Sequence, residues 1–202
     1  MSSFYNRVVK FSGLGIALVL LSACGHTPIS SMVKLRNFDP ATTDVNQLSV
    51  AVDLPHAYRV REDGVTMTLE LKKKDGSETK RENFILTTSL NSEDKLMLAK
   101  ISKPGRQIIA YRIRPNDIKR FNALRKFTLE HRPSKLWEGS FSIGANACRI
   151  NNNQPQSLPV TLYLKSSETK SFVPFIVNAD LMKQPDGDQI HEAVPICETE
   201  NG

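Results

Sequence analysis

The chain has 202 residues, of which 40% are hydrophobic and 24% charged, and its formal net charge is +6. This composition is ordinary for a folded domain, and it excludes a disordered or fibrous chain. After residue 25, no segment is apolar over the roughly 20 residues that a membrane-spanning helix requires.

The N-terminus has the organisation of a secretory leader. A basic stretch that contains Arg7 and Lys10, and no acidic residue, precedes a short apolar run from Gly13 to Leu21. The run is shorter than the roughly 20 residues of a transmembrane helix, and its length suits the removable apolar region of a signal peptide. The sequence therefore predicts a signal peptide over residues 1–23.

The leader ends in the four residues Leu21, Ser22, Ala23 and Cys24. This stretch resembles the lipobox of bacterial lipoproteins, and the resemblance covers about the first 25 residues of the chain. It implies that a signal peptidase recognises Leu21, Ser22 and Ala23 and cleaves before Cys24, which then carries the acyl chains. Membrane lipid would be the partner of acylated Cys24, because more than one acyl chain gives stable attachment. The alternative is a leader that is cut elsewhere, with Cys24 incidental.

The residue after the cysteine bears on location. In enterobacterial lipoproteins an aspartate at that position favours retention in the inner membrane, whereas this chain has Gly25. The resemblance therefore implies a lipid anchor in the outer membrane that faces the periplasm. Nucleic acid is not an expected partner of a chain with such a leader.

The mature chain divides into a tether and one domain. Residues 24–44 are rich in threonine, serine and proline, which predicts a lipidated N-terminus followed by a flexible tether. Residues 45–202 are long enough for a single domain with its own core. Its two cysteines, Cys148 and Cys197, are predicted to form a disulfide in an oxidising compartment. A redox or metal role for this pair is the alternative.

Alternating apolar residues predict most of the fold. Residues 48–54 and 65–71 place apolar side chains on one face, and Asp75-Gly76 predicts the turn of a hairpin. One amphipathic helix is expected from Pro115 to about His131, while residues 92–103 fit either a helix or a strand. The predicted class is mainly β, an antiparallel β-sandwich of about seven strands with one inserted α-helix.

Motifs for catalysis are absent from the sequence. No Gly-x-Ser-x-Gly or phosphate loop occurs, and none of the four histidines lies at the spacing of a metal site or a triad. We therefore expect no catalytic residue, no metal and no cofactor. The lone Trp137 either closes the core or forms an exposed anchor for a glycan or a partner.

Basic residues are concentrated between Lys100 and Lys135. Four of them form a candidate face for an anionic partner, namely Arg112, Arg114, Lys119 and Lys126. Such a partner would be an envelope protein or an anionic glycolipid. A solvated strand face, or the acidic C-terminal tail lying nearby, would explain the same residues.

These features predict a lipid-anchored envelope protein that acts as a non-catalytic binding or assembly module. The alternatives are an enzyme acting on a cell-envelope polymer and an interaction protein displayed on the cell surface. A cleft that gathers two carboxylates, or a histidine and a carboxylate, would favour the enzyme, whereas an open basic face without such a cleft would favour binding.

Overall fold

The computed structural model describes residues 29–89, 91–152, 156–183 and 194–197. The predicted signal peptide and Cys24 lie outside these residues, as does most of the acidic tail. The described helices are α1 (Ile29–Leu35), α2 (Ser92–Ala99) and α3 (Ile118–His131). The described strands are β1 (Ser49–Pro55), β2 (Tyr58–Lys73), β3 (Thr79–Thr88), β4 (Arg106–Ile113), β5 (Trp137–Arg149), β6 (Pro159–Lys165) and β7 (Val173–Asp180).

The seven strands form one antiparallel sheet with the order β5-β2-β3-β4-β1-β6-β7. Strand β3 links the two halves of the sheet, because residues 79–85 pair with β2 and residues 86–88 pair with β4. The prediction of a mainly β fold with about seven antiparallel strands is confirmed. The two expected layers are halves of one sheet, which curls into a half-barrel because β3 changes partner along its length.

The inner face of the half-barrel holds the main core. Apolar residues of every strand contribute to it, and the fully buried Phe84 on β3 meets the fully buried Phe121 on α3. The two rings have centroids 5.6 Å apart in an edge-to-face arrangement. Helix α3, which the sequence predicts, therefore packs into the hollow of the sheet.

The open side of the half-barrel is bridged by aromatic side chains. Phe141 on β5 and Phe175 on β7 belong to the two edge strands, and their ring centroids are 5.8 Å apart. The ring centroid of Phe38, from the segment before β1, lies 5.3 Å from the ring centroid of Phe141. Pro174 lies on β7, an edge strand whose pairing with β6 shifts register beside this proline, which has no amide hydrogen to donate.

The segment from residue 92, which fits a helix or a strand by sequence, is helix α2. Asn91 caps it by accepting a hydrogen bond from the Glu93 amide at 2.9 Å. Helix α2 covers the outer face of the sheet, where Leu98 packs in a small cluster with Ala51 and Ala110.

The N-terminal segment is folded from residue 29 onward. Helix α1 packs against β7, and Ser31, Ala41 and Thr43 are buried. Thr43 donates a hydrogen bond of 2.8 Å to the Glu168 carboxylate. Leu35 and Phe38 also pack on the core, so the folded part begins before residue 45. The serine, threonine and proline content predicts residue 45 as the boundary.

Candidate ligand-binding cavity

A cavity of about 480 Å³ lies between α3 and the inner face of strands β2 and β5. Its walls are mainly apolar, with Leu69 and Leu71 from β2, Phe141 from β5, and Leu124 and Phe127 from α3. Pockets for small ligands commonly measure about 300–1,000 Å³ and combine apolar walls with a few polar groups. The sheet curls around α3, and beside the C-terminal half of the helix the side chains leave part of the space between helix and sheet empty.

Three rings form one corner of the cavity. Phe127 and His131 follow each other by one helical turn and stack with centroids 3.9 Å apart. Trp137, the first residue of β5, meets Phe127 edge-to-face at 5.2 Å. The ring nitrogen Nδ1 of His131 lies 2.9 Å from the carbonyl oxygen of Phe127, which holds the imidazole in the stack. The corner offers a rigid, polarisable surface for an apolar chain.

Residues 39–41 close the cavity on one side. Arg132 donates a hydrogen bond of 2.7 Å to the Asp39 carboxylate, and Nε of Arg125 donates one of 3.0 Å to the carbonyl oxygen of Ala41. Both arginines belong to the C-terminal part of α3 or the turn after it. The N-terminal segment is therefore fastened to the helix that forms the opposite wall.

Charged side chains surround the cavity. The basic ones are Lys74, Arg125, Arg132 and Lys135, and the acidic ones are Asp39, Glu70 and Glu138. Asp39 pairs with Arg132, and Glu70 pairs with Arg81 at 3.6 Å. Within the described part of the chain, neither the Lys74 nor the Lys135 ammonium forms an ion pair. The rim thus keeps two cations available for an anion.

The cavity gathers His131 and the carboxylates of Asp39, Glu70 and Glu138, which is the combination that favours the enzyme alternative. Within the described residues, Nδ1 of His131 contacts a backbone carbonyl, and the imidazole forms no hydrogen bond to a carboxylate. The described residues also contain no group of three or more histidine, cysteine or acidic side chains that could hold a metal ion. The site thus combines apolar walls with a charged rim.

The four basic residues predicted as an anionic-partner face are divided between two sides of the molecule. Arg112 shares the outer face of β4 with Ala110, whereas Lys119 and Lys126 are exposed on α3, which packs on the inner face. Arg114 pairs with Asp63, and Lys126 lies 3.8 Å from Glu130. These residues therefore do not form one continuous site.

The structure joins Cys148 at the end of β5 to Cys197, with their sulfur atoms 2.08 Å apart. This geometry is consistent with the predicted disulfide. Next to this bond, the backbone amide of Cys197 donates a hydrogen bond of 2.9 Å to the carbonyl oxygen of Arg149. The bond fastens residues 194–197 to the end of β5.

The cavity was not expected from the sequence. Its lining comes from four separate segments, around residues 39–41, 69–74, 124–135 and 137–141. The two signals that could have indicated it are the lone Trp137 and the apolar stripe of α3, which continues to Phe127. Trp137 is half-buried and packs against the core, which is the first of its two expected roles, and it also lines the cavity.

Comparisons with models of known protein families, with curated proteins and with solved structures found no match. In the described ranges, no helix is both long enough and apolar enough to cross a membrane.

Proposed function

We propose that this chain is an envelope lipoprotein whose domain binds a single-chain amphiphile, with an apolar tail and an anionic head. The observation that carries the proposal is the apolar cavity under α3 with two unpaired ammonium groups at its rim. Export and anchoring rest on the leader and the Leu21 to Cys24 motif. The proposal thus names a ligand class, a membrane-derived anion, for the predicted binding module.

The walls of the cavity favour an aliphatic tail. Leu69, Leu71 and Phe141 present a surface without hydrogen-bonding groups, and burial of each methylene group contributes about 0.8 kcal/mol. A sugar or a peptide would lose hydrogen bonds to water that these side chains cannot replace. The ligand class is therefore one with a flexible hydrocarbon chain.

The rim favours a negatively charged head. Lys74 lies in the turn after β2, and Lys135 lies in the turn after α3 with a left-handed backbone, φ 54°. Both turns border the same cavity, so a carboxylate or phosphate at its mouth can contact either ammonium. Glu138 is on the same rim, but the basic side chains outnumber the acidic ones.

Location in the outer membrane, facing the periplasm, completes the proposal. A lipid anchor at Cys24 would hold the cavity close to a bilayer, which is a source of fatty acids and lysolipids. An anionic glycolipid, which the sequence predicts as one partner, also has a negatively charged head group.

A photoreactive fatty acid tests the ligand site. Gly139 pairs with Leu71 across the sheet, and a Cβ atom there would lie 3.5 Å from Leu71 Cδ2. Because the φ of Gly139 is not positive, Gly139→Phe can fill the cavity without backbone strain. We expect a diazirine-bearing fatty acid to crosslink wild-type protein at cavity residues, and Gly139→Phe to lose most of this labelling.

Ser142→Phe is the matched control, since Ser142 is exposed on the other face of β5. It should label like the wild type, and excess laurate should suppress the labelling of both. Labelling that is spread over the surface, or that survives Gly139→Phe unchanged, would show that the cavity is not the binding site.

The anchor is tested separately. We expect Cys24→Ser to accumulate as an unprocessed precursor without acyl chains, while Gly25→Ala, which keeps the cysteine, is processed. Processing and membrane retention of Cys24→Ser would refute the lipoprotein assignment and leave the cavity unaffected.

A further inference from the structure

Helix α1 has an apolar face that the domain does not cover. Ser31 is buried and Leu35 is half-buried against the core, one helical turn apart, so they define the inward side of α1. Met32 and Val33 point away from it and are 46% and 57% exposed. The two side chains are neighbours in the sequence and together expose apolar surface close to the predicted anchor.

Two basic side chains follow this apolar face in the sequence. Lys34 in α1 and Arg36 in the following turn are both exposed, and the sequence from Gly25 to Phe38 contains no acidic residue. Neither side chain has an ion pair among the described residues. An apolar surface beside long basic side chains suits the interface of a bilayer, where the charged ends reach the headgroups.

The chain length before α1 limits what can cover it. Residue 29 follows Cys24 by five residues, and a fully extended chain of that length spans at most about 18 Å. If Cys24 is acylated, α1 lies within that distance of the membrane surface. This step rests on the lipid anchor of the proposed function.

We infer that α1 is a membrane-contact surface, which places Met32 and Val33 in the headgroup region of an anionic bilayer beside the anchor. Charge complementarity with anionic lipids and the short link to Cys24 favour this occupant over a protein partner. Because α1 packs on β7, contact at α1 would orient the domain with this edge of the sheet towards the membrane.

Depth-dependent quenching tests this inference on the lipidated full-length protein. Val33→Cys and Leu96→Cys each carry an environment-sensitive fluorophore, and the protein is reconstituted into vesicles of phosphatidylcholine and phosphatidylglycerol with nitroxide-labelled lipid. Leu96 is the matched control because it is 68% exposed on α2, which packs on β4 at the outer face of the sheet. We expect the label at 33 to shift to shorter wavelength and to be quenched, and the label at 96 to do neither.

Charge reversal supplies the second readout. Lys34→Glu with Arg36→Glu should abolish the quenching at 33, whereas Lys100→Glu with Lys103→Glu, also exposed, should leave it unchanged. Protein that floats with the vesicles while the labels at 33 and 96 behave alike overturns the inference alone. Protein that does not float overturns the anchor and, with it, this inference.

Discussion

The guanidinium group of Arg132 lies 2.7 Å from the carboxylate of Asp39, and this ion pair closes the cavity with a segment 93 residues away in the sequence. Asp39 belongs to the stretch that leads from the predicted anchor to β1. The same stretch would therefore connect the proposed lipid anchor and one wall of the proposed binding site. The ion pair holds the N-terminal segment against the domain.

The head of the ligand is predicted to contact Lys135. Lys135→Gln should weaken the binding of laurate by up to about fivefold, as expected for one exposed ion pair of 0.2–1 kcal/mol, and should not change the binding of neutral monolaurin. Lys170→Gln is the matched control, because Lys170 is also exposed with φ 54° and does not line the cavity. Calorimetric titration measures both affinities. Equal effects on laurate and monolaurin would argue against a charge contact.

A buried ion pair holds α2 on the sheet. The Asp94 carboxylate is 2% exposed, lies 2.7 Å from Nζ of Lys165, and accepts hydrogen bonds from Ser49 and Ser89. Asp94→Asn leaves the Lys165 charge buried without its partner, so the free energy of unfolding should fall by about 3–5 kcal/mol. Urea denaturation measures this loss. Glu93→Gln, the exposed neighbour, should cost less than about 1 kcal/mol, and an equal loss in both variants would contradict the role of the pair.

The bond between Cys148 and Cys197 closes a loop with a sequence separation of 49 residues. In the chain-entropy model, such a loop stabilises the folded state by about 4 kcal/mol. We expect neither cysteine to react with a thiol reagent in denatured, unreduced mature protein, and reduction to lower the thermal midpoint. Full labelling of both cysteines before reduction would refute the disulfide.

Asp180 makes part of the stability depend on pH. Partial burial raises the pKa of Asp180, but the amides of Leu158 and Met182 donate to its Oδ1 at 2.8 and 3.0 Å and lower the pKa overall, below the ordinary 3.8. A lowered folded-state pKa contributes stability above the ordinary value and loses it as the pH falls through the lowered value. Asp180→Asn should therefore have a lower melting temperature than the wild type at neutral pH. The difference should shrink as the pH falls below 3.8, and a difference that is constant with pH would contradict the carboxylate's role.

The strands and one helix were predictable from local patterns. Val65, Met67 and Leu69 alternate with polar residues and lie in the core, and Gly76 has the positive φ of 75° that its turn requires. Residues 92–103 stayed ambiguous because α2 buries only a narrow face, so that Leu98 is buried while Leu96 is 68% exposed. Neither helical nor strand periodicity is clear in such a segment.

The shape of the sheet and the cavity were not predictable in this way. The curl depends on β3 pairing with β2 and then with β4, which is a property of three strands together. The cavity depends on how far α3 enters the half-barrel, and Phe127 therefore lines a site although its pattern is that of a core residue. Local periodicity reports which side of an element is apolar and does not report whether that side is completely covered.

Trp137 allows the most direct test of the proposed site, because it is the single tryptophan of the chain and it lines the cavity. The measurement is its fluorescence emission during titration of the full-length protein with laurate, monolaurin and acetate. The proposal predicts a saturable shift to shorter wavelength with laurate, a weaker affinity for monolaurin, no change with acetate, and loss of the laurate response in Gly139→Phe. An emission that does not change saturably with laurate, or that changes equally in Gly139→Phe, would contradict the proposal that this cavity binds an anionic amphiphile.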